Sequence, residues 1–132
     1  MRDDGIKKAG ISRWRYRELR AFCRQYDEKR ANALRLKGAL CRVKDGVCIS
    51  TGEAADLTAA RSEKLFRDCR MIEKAAREAD PAGGTAIFKN AAQGLRYEET
   101  GFYGDRATFF RLRERFFIEL DRNLRERDME AG

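Results

Sequence analysis

Residues 105–126, DRATFFRLRERFFIELDRNLRE, carry the strongest helical pattern in this chain. At about 100° per residue, the large apolar side chains fall on one wide arc of a helix: Phe109, Leu112, Phe116, Phe117, Leu120 and Leu124. The opposite arc carries Arg111, Arg115, Ile118, Arg122 and Arg125. Asp105 is a good N-cap, so the pattern predicts a long amphipathic helix from Asp105 to about Arg127.

Three further helices are predicted from apolar residues that recur at helical spacing. The first begins near Ser12, a plausible N-cap, and runs to about Lys37. The second runs from about Glu53 to Ala79 and ends at Asp80-Pro81 and Gly83-Gly84. Thr85 can cap a short third helix that reaches Leu95, and a turn or brief helix follows at 97–101.

Residues 38–52 interrupt the helical rhythm. Two short β-prone stretches, Leu40–Val43 and Val47–Ile49, flank Asp45-Gly46, which favours a type I′ hairpin turn. A short structured loop is the alternative. We therefore expect an all-α fold with two long helices, in one domain over 1–132. Its N-terminal helical part is 1–80, and a part resembling a helix-turn-helix is 81–132.

Composition argues against an enzyme. The 132 residues include no histidine, which removes Ser-His-Asp and Cys-His catalysis and histidine-ligated metals. The carboxylates of Glu98 and Glu99 are adjacent and face different sides, and no phosphate-binding glycine loop accompanies them. The sequence therefore predicts a non-enzymatic protein that needs no cofactor.

The four cysteines match no paired zinc-ligand spacing. Cys23 and Cys69 fall at apolar positions of predicted helices, so buried thiols in a reducing cytosol are the favoured interpretation. A metal site that uses all four cysteines is the alternative. Whether Cys41 and Cys48 are reduced, paired or metal-bound is left open.

The net charge of +7 is concentrated in residues 1–50, which hold 14 Lys or Arg against 6 Asp or Glu. Five arginines crowd one segment around Trp14 and Tyr16: Arg13, Arg15, Arg17, Arg20 and Arg24. Such a patch attracts phosphates or an acidic protein partner. The alternative is an ordinary solvated helix face.

The arginine arc of the last helix has the layout of a DNA-recognition helix. Thr108, Arg111 and Arg115 lie on its first turns, and we also assign Arg106 and Arg122 to the DNA-binding set. The short helix Thr85–Leu95 would brace it across the DNA backbone. The alternative is a surface helix with internal ion pairs, such as Arg111 with Glu114 or Arg115 with Glu119.

Three segments resemble small prophage proteins of Gram-positive bacteria: SRWRYRELRAFCRQYDEKR (12–30), KLFRDCRMIEKAAREADP (64–81) and TFFRLRERFFIELD (108–121). The broader group is the RinA/ArpU-like phage transcriptional regulators, whose C-terminal part is similar to the helix-turn-helix of sigma-factor region four. The resemblance implies a helical DNA-binding activator of phage or mobile-element genes. The chain departs from that pattern where such units often enter the last helix through Ser-Arg-Arg-Thr, because here the entry is Gly104-Asp105-Arg106-Ala107-Thr108.

Together these patterns predict a transcriptional regulator of a prophage or mobile element that binds double-stranded DNA. The operator sequence, and whether genes are activated or repressed, are left open. A homodimer is expected because one recognition helix makes few base contacts. The alternatives are a DNA-packaging accessory of the small-terminase kind and a protein-interaction module that binds an acidic partner such as RNA polymerase. The N-terminus has no secretory h-region and no apolar run spans a membrane, so we expect a cytoplasmic protein in the bacterial host.

Overall fold

Helices make up most of the chain in the computed structural model, which describes residues 4–40, 43–44, 47–48 and 53–131. The elements are, in order, α1 (Asp4–Lys8), α2 (Arg13–Arg24), α3 (Tyr26–Leu40), β1 (Val43–Lys44), β2 (Val47–Cys48), α4 (Glu53–Ala79), α5 (Thr85–Gln93), a 3₁₀ turn (Tyr97–Glu99) and α6 (Arg106–Ala131). The two long helices are α4 and α6, with 27 and 26 residues. The all-α prediction is confirmed. No helix in the described ranges is both long enough and apolar enough to cross a membrane.

The predicted first helix, Ser12 to Lys37, is wrong in one respect, because the structure divides it into α2 and α3. Gln25 separates them with ψ near 0°, and its N–H donates to the Phe22 carbonyl at 3.3 Å. This tightened turn ends α2 without a glycine or a proline, so no helix-breaking residue in the sequence predicts the boundary between α2 and α3. The predicted start is confirmed, since the Ser12 hydroxyl accepts from the Arg15 N–H at 3.0 Å.

Between α3 and α4, β1 and β2 pair antiparallel, with Val43 opposite Cys48 and Lys44 opposite Val47. The predicted type I′ turn at Asp45-Gly46 lies outside the described residues, as does Cys41. At two residues each, these strands leave the fold class unchanged.

Two compact units divide the chain: Met1–Gln25 with Met71–Gly132, and Tyr26–Arg70. This division differs from the predicted parts at 1–80 and 81–132, because α1 and α2 belong with the C-terminal segment. In the first unit, α2 packs on α5 and α6, α5 packs on α6, and α1 packs on α6. Its largest fully buried side chains are Phe109, Phe116, Phe117, Leu19, Ile72, Ile87 and Leu120.

The second unit is an antiparallel pair formed by α3 and the first part of α4. Polar contacts tie the two helices along their length: Lys29 Nζ lies 2.9 Å from Asp68 Oδ2, and the buried Ser62 hydroxyl donates to the Ala33 carbonyl at 3.0 Å. The Cys69 thiol contacts the Tyr26 carbonyl at 3.7 Å. Cys69 is thus a buried thiol outside any disulfide, as is Cys23 in the first unit, which confirms that prediction.

The start of α5 depends on Gly84, which was predicted to end the preceding helix and not to cap α5. Thr85 was expected to cap this helix but is its first residue, and the N-cap is Gly84 at φ +74°. A Cβ at Gly84 would overlap the backbone carbonyl of Ala76 on α4. Only glycine combines the left-handed backbone with this close approach.

We expect Gly84→Ala to lower the free energy of unfolding by more than the 1–2 kcal/mol or so that left-handed backbone costs alone. Gly101→Ala is the matched control, because Gly101 has φ +73° and nothing lies within 4 Å of its added Cβ. Denaturant unfolding of both variants measures the difference. Equal losses would contradict the close contact between Gly84 and Ala76.

Candidate nucleic-acid interface

The N-terminus of α6 is capped as the sequence predicted. The Asp105 carboxylate accepts from the Thr108 N–H at 2.8 Å. That hydrogen bond, with a second from the Thr108 side chain and the charge of Arg111, lowers the pKa of Asp105 below its ordinary value. A charged cap suits the positive end of the helix, so α6 begins firmly at Arg106.

Arg111 and Arg115 lie exposed on one face of α6, with the half-buried Thr108 beside them. Arg111 Nη2 donates to the Thr108 hydroxyl at 3.2 Å. Within the described residues, neither arginine forms an ion pair. The alternative pairs, Arg111 with Glu114 and Arg115 with Glu119, do not form there. This face therefore presents two arginines with no carboxylate within ion-pair distance in the described residues, although the charge of Arg111 also interacts with the Asp105 carboxylate at the helix start.

Glu114 and Glu119 are both engaged elsewhere. The Glu114 carboxylate lies against Gly5 of α1, where a Cβ would overlap it. Glu119 accepts a hydrogen bond from Arg122. Of the two carboxylates that helical spacing offers to Arg111 and Arg115, one therefore lies against α1 and the other pairs with an arginine further along α6.

Two other members of the predicted DNA-binding set are held by carboxylates. Arg106 Nη1 lies 2.7 Å from Glu98 Oε1, and its guanidinium lies over the Tyr97 and Phe110 rings at 5.9 and 5.3 Å. Arg122 pairs with Glu119, with Glu78 at 3.8 Å and with Glu126 at 4.0 Å. Both side chains are more than half exposed, yet their charges are largely compensated.

The connection between α5 and α6 is structured. Tyr97, Phe102 and Phe109 pack edge to face, with ring centroids 5.2–6.4 Å apart. The Tyr97 hydroxyl donates to the Gly104 carbonyl at 2.9 Å. At residues 94–105, this connection is longer than the three- or four-residue turn of a standard helix-turn-helix. The likeness to that motif therefore rests on the exposed face of α6.

The five arginines of α2 do not share one face. At about 100° per residue, Arg13, Arg17, Arg20 and Arg24 fall within a narrow stripe, which we call the α2 stripe. All four are exposed. Arg15 lies on the other side of the helix, where its Nε donates to Asp121 Oδ1 at 2.6 Å. The five arginines are neighbours in the sequence, but the helix places Arg15 on the opposite side of α2 from the other four.

The Arg15–Asp121 pair is part-buried, with side chains 23% and 11% exposed. Burial by itself lowers the pKa of Arg15, but the hydrogen bonds and charges of Asp121 and, to a smaller extent, Glu18 outweigh it, and the pKa is raised above its ordinary value. Asp121 also accepts from Arg125 Nε at 2.9 Å. Arg15 is thus a structural cation that ties α2 to α6.

Trp14 is 65% exposed on α2. The guanidinium groups of Arg13 and Arg17 lie 5.6 and 4.8 Å from its ring centroid. An exposed tryptophan between two arginines combines the residue types that are most enriched at protein interfaces.

Arg113 is the functional candidate that sequence reasoning missed, because it falls on the apolar arc of α6. It is half-buried, and its Nε donates to Asn90 Oδ1 at 2.7 Å. Its Nη1 donates to the Tyr16 hydroxyl at 2.9 Å. A charged residue on an apolar arc requires polar partners when it is buried. Its position among apolar residues is therefore the feature of the sequence that could have identified Arg113.

No family model matches the chain, and no curated protein and no solved structure was found to be similar to it. The resemblance to phage regulators therefore stays a prediction.

We expect Asp121→Asn to lower the free energy of unfolding by about 2 kcal/mol, because the part-buried Arg15 loses its charged partner at 2.6 Å and keeps only the exposed Glu18 carboxylate at 3.3 Å. Glu63→Gln is the control, since Glu63 and Arg70 are each 55% exposed and their pair contributes less than about 1 kcal/mol. Urea unfolding of both variants tests this. A loss for Asp121→Asn no larger than that for Glu63→Gln would show that Arg15 is not held as described.

Proposed function

We propose that this protein binds double-stranded DNA through the exposed face of α6 and regulates transcription of a prophage or mobile element. The observation that supports this most is the exposed pair of Arg111 and Arg115, which form no ion pair within the described residues, on a helix that is otherwise rich in ion pairs. A single α-helix fits the major groove, where arginine makes bidentate contacts to guanine. Thr108 would add a hydroxyl contact from the first turns.

This proposal makes the protein a binding protein rather than an enzyme, acting in the cytoplasm of a bacterial host. Arg106 and Arg122 would have to exchange their carboxylate partners for phosphates, so we assign them secondary roles. Arg111 and Arg115 carry the main contribution. Each base contact is worth roughly 1–3 kcal/mol of discrimination, so one α6 helix binds weakly and two half-sites are expected.

A double substitution, Arg111→Glu with Arg115→Glu, tests the proposal by fluorescence anisotropy on labelled duplexes from the genomic neighbourhood of the gene. We expect wild-type affinity to fall steeply between 50 and 200 mM salt, as counterion release requires (roughly 0.9 log unit of slope per phosphate). The variant should lose at least about 30-fold, since two contacts of 1–3 kcal/mol each are removed.

Arg61→Glu with Arg67→Glu is the matched control, because both residues are exposed on α4 and the charge change is the same. Circular dichroism checks that both variants keep their helices. Equal weakening in the two variants would mean that only net charge matters. Full binding by the α6 variant would overturn the assignment of this face.

The second candidate is a protein-interaction module that binds an acidic partner such as RNA polymerase. Exposed Trp14, flanked by Arg13 and Arg17, favours it. The α2 stripe and the α6 face could also serve one regulator together, since polymerase contact and DNA binding need separate surfaces. Absence of salt-sensitive duplex binding, with retained binding to an acidic protein, would favour this candidate alone.

Assembly distinguishes regulation from DNA packaging. We expect light scattering of the complex with a duplex that carries two half-sites to give the mass of the duplex plus two chains of 15.2 kDa each. A monomer with and without DNA would contradict the two-half-site expectation. A mass well above the dimer would favour a ring-forming packaging accessory of the small-terminase kind.

A further inference from the structure

A second cationic feature of the first unit is a half-open cavity of about 160 Å³ lined by residues of α2, α5 and α6. Its lining is Arg20 and Arg24 of α2, Asn90, Ala91 and Gly94 at the end of α5, and Arg113 and Phe117 of α6. At roughly 30 Å³ per water, the space equals about five water molecules. This space is large enough for one tetrahedral oxyanion with part of its hydration shell.

Arg113 is held in place by neutral groups alone. Its Nε and Nη1 donate to the Asn90 amide oxygen and the Tyr16 hydroxyl, and its guanidinium lies 5.0 Å from the centroid of the Phe117 ring. Asn90 is itself oriented, because its Nδ2 donates to the Leu95 carbonyl at 2.8 Å. The planar fork of Arg113 is therefore positioned before any ligand arrives, while its charge remains uncompensated.

No carboxylate lines this cavity, and Arg20, Arg24 and Arg113 form no ion pair within the described residues. Elsewhere in the same unit, Arg15, Arg106 and Arg122 each lie within 4.0 Å of at least one carboxylate. The end of α5 supplies only about half a negative charge through its helix dipole. Three guanidinium charges therefore converge with most of their charge unbalanced.

Gly94 brings Arg24 to the cavity. It ends α5 at φ +73°, and a Cβ there would overlap the Arg24 guanidinium. Arg20 is placed one helical turn before Arg24, with its guanidinium 5.7 Å from the centroid of the Tyr16 ring. The backbone of α5, the aromatic ring and the hydrogen bonds of Arg113 thus position all three cations.

We propose that this cavity binds the phosphate group of a small ligand, either free phosphate or a phosphate monoester. Arginine forks match phosphate oxygens in pairs, and a dianion offsets most of the local positive charge. Arg113 lies about 200° around α6 from both Arg111 and Arg115. The cavity is therefore separate from the proposed DNA-binding face, and it does not depend on that function.

Titration calorimetry and thermal unfolding with inorganic phosphate test the proposal, with sodium chloride of equal ionic strength as the reference. We expect saturable binding to the wild-type protein and a melting temperature that rises with phosphate and not with chloride. Arg20→Gln with Arg24→Gln should weaken phosphate affinity at least tenfold, because it removes two charge-assisted contacts.

Arg13→Gln with Arg17→Gln is the matched control, since it removes the same charge from the same stripe of α2 but outside the cavity. It should keep wild-type affinity for phosphate. Arg113→Lys is a further variant, which keeps the positive charge but removes the planar guanidinium group. We expect it to bind phosphate more weakly, because lysine cannot donate the paired hydrogen bonds of a guanidinium. Equal weakening by both α2 variants, or no difference between phosphate and chloride, would overturn the proposal.

Adenosine monophosphate and adenosine distinguish the two sources of the phosphate group. Binding of the monophosphate tenfold or more tighter than inorganic phosphate, with no binding of adenosine, assigns a nucleotide-like monoester. Equal affinity for the monophosphate and inorganic phosphate assigns the phosphate group alone. Adenosine binding as tightly as the monophosphate would overturn the assignment of a phosphate site.

Discussion

The buried phenylalanine row of α6 is the contact on which the other surfaces depend. Phe109, Phe116 and Phe117 are at most 1% exposed, and the Phe117 ring meets Tyr16 of α2 edge to face at 5.1 Å. Each such side chain contributes roughly 1.5–3 kcal/mol on burial. Rotation of α6 by a single residue, about 100°, would bring charged positions into this core. The row therefore fixes the rotation of α6, and with it the direction of every arginine on that helix.

With α6 in this rotation, the arginines lie in three different environments. Arg15 lies in a part-buried ion pair with Asp121, where its role is structural. Arg106 and Arg122 lie at the surface with carboxylates beside them. Arg111 and Arg115 on one side of α6, and Arg113 with two α2 arginines on the other, have no carboxylate within ion-pair distance in the described part of the chain. Uncompensated charge, rather than charge itself, separates the candidate binding surfaces from the ordinary surface.

Much of the candidate site could be predicted from residue spacing. The capped start of α6, its apolar arc and the exposure of Arg111 and Arg115 all follow from helical periodicity, and the structure bears them out. The break at Gln25 could not be predicted, because no glycine or proline marks it. The cap of α5 was misassigned to Thr85, because the need for Gly84 arises from its close approach to the backbone of Ala76 on α4, which residue spacing does not reveal. The alternative ion pairs along α6 do not form, since Glu114 lies against Gly5 of α1 and Glu119 pairs with Arg122.

By itself the sequence determined the all-α fold, the two long helices, the buried thiols of Cys23 and Cys69 and the amphipathic character of α6, because these depend on local spacing and capping. Only the tertiary structure decided which arginines are compensated. It paired Arg15 with Asp121, 106 residues away, and it brought Arg113 together with Arg20 and Arg24 around one cavity. The physical reason is that a helix determines which side chains share a face, whereas the partner of each charge is set by the helices that pack against it.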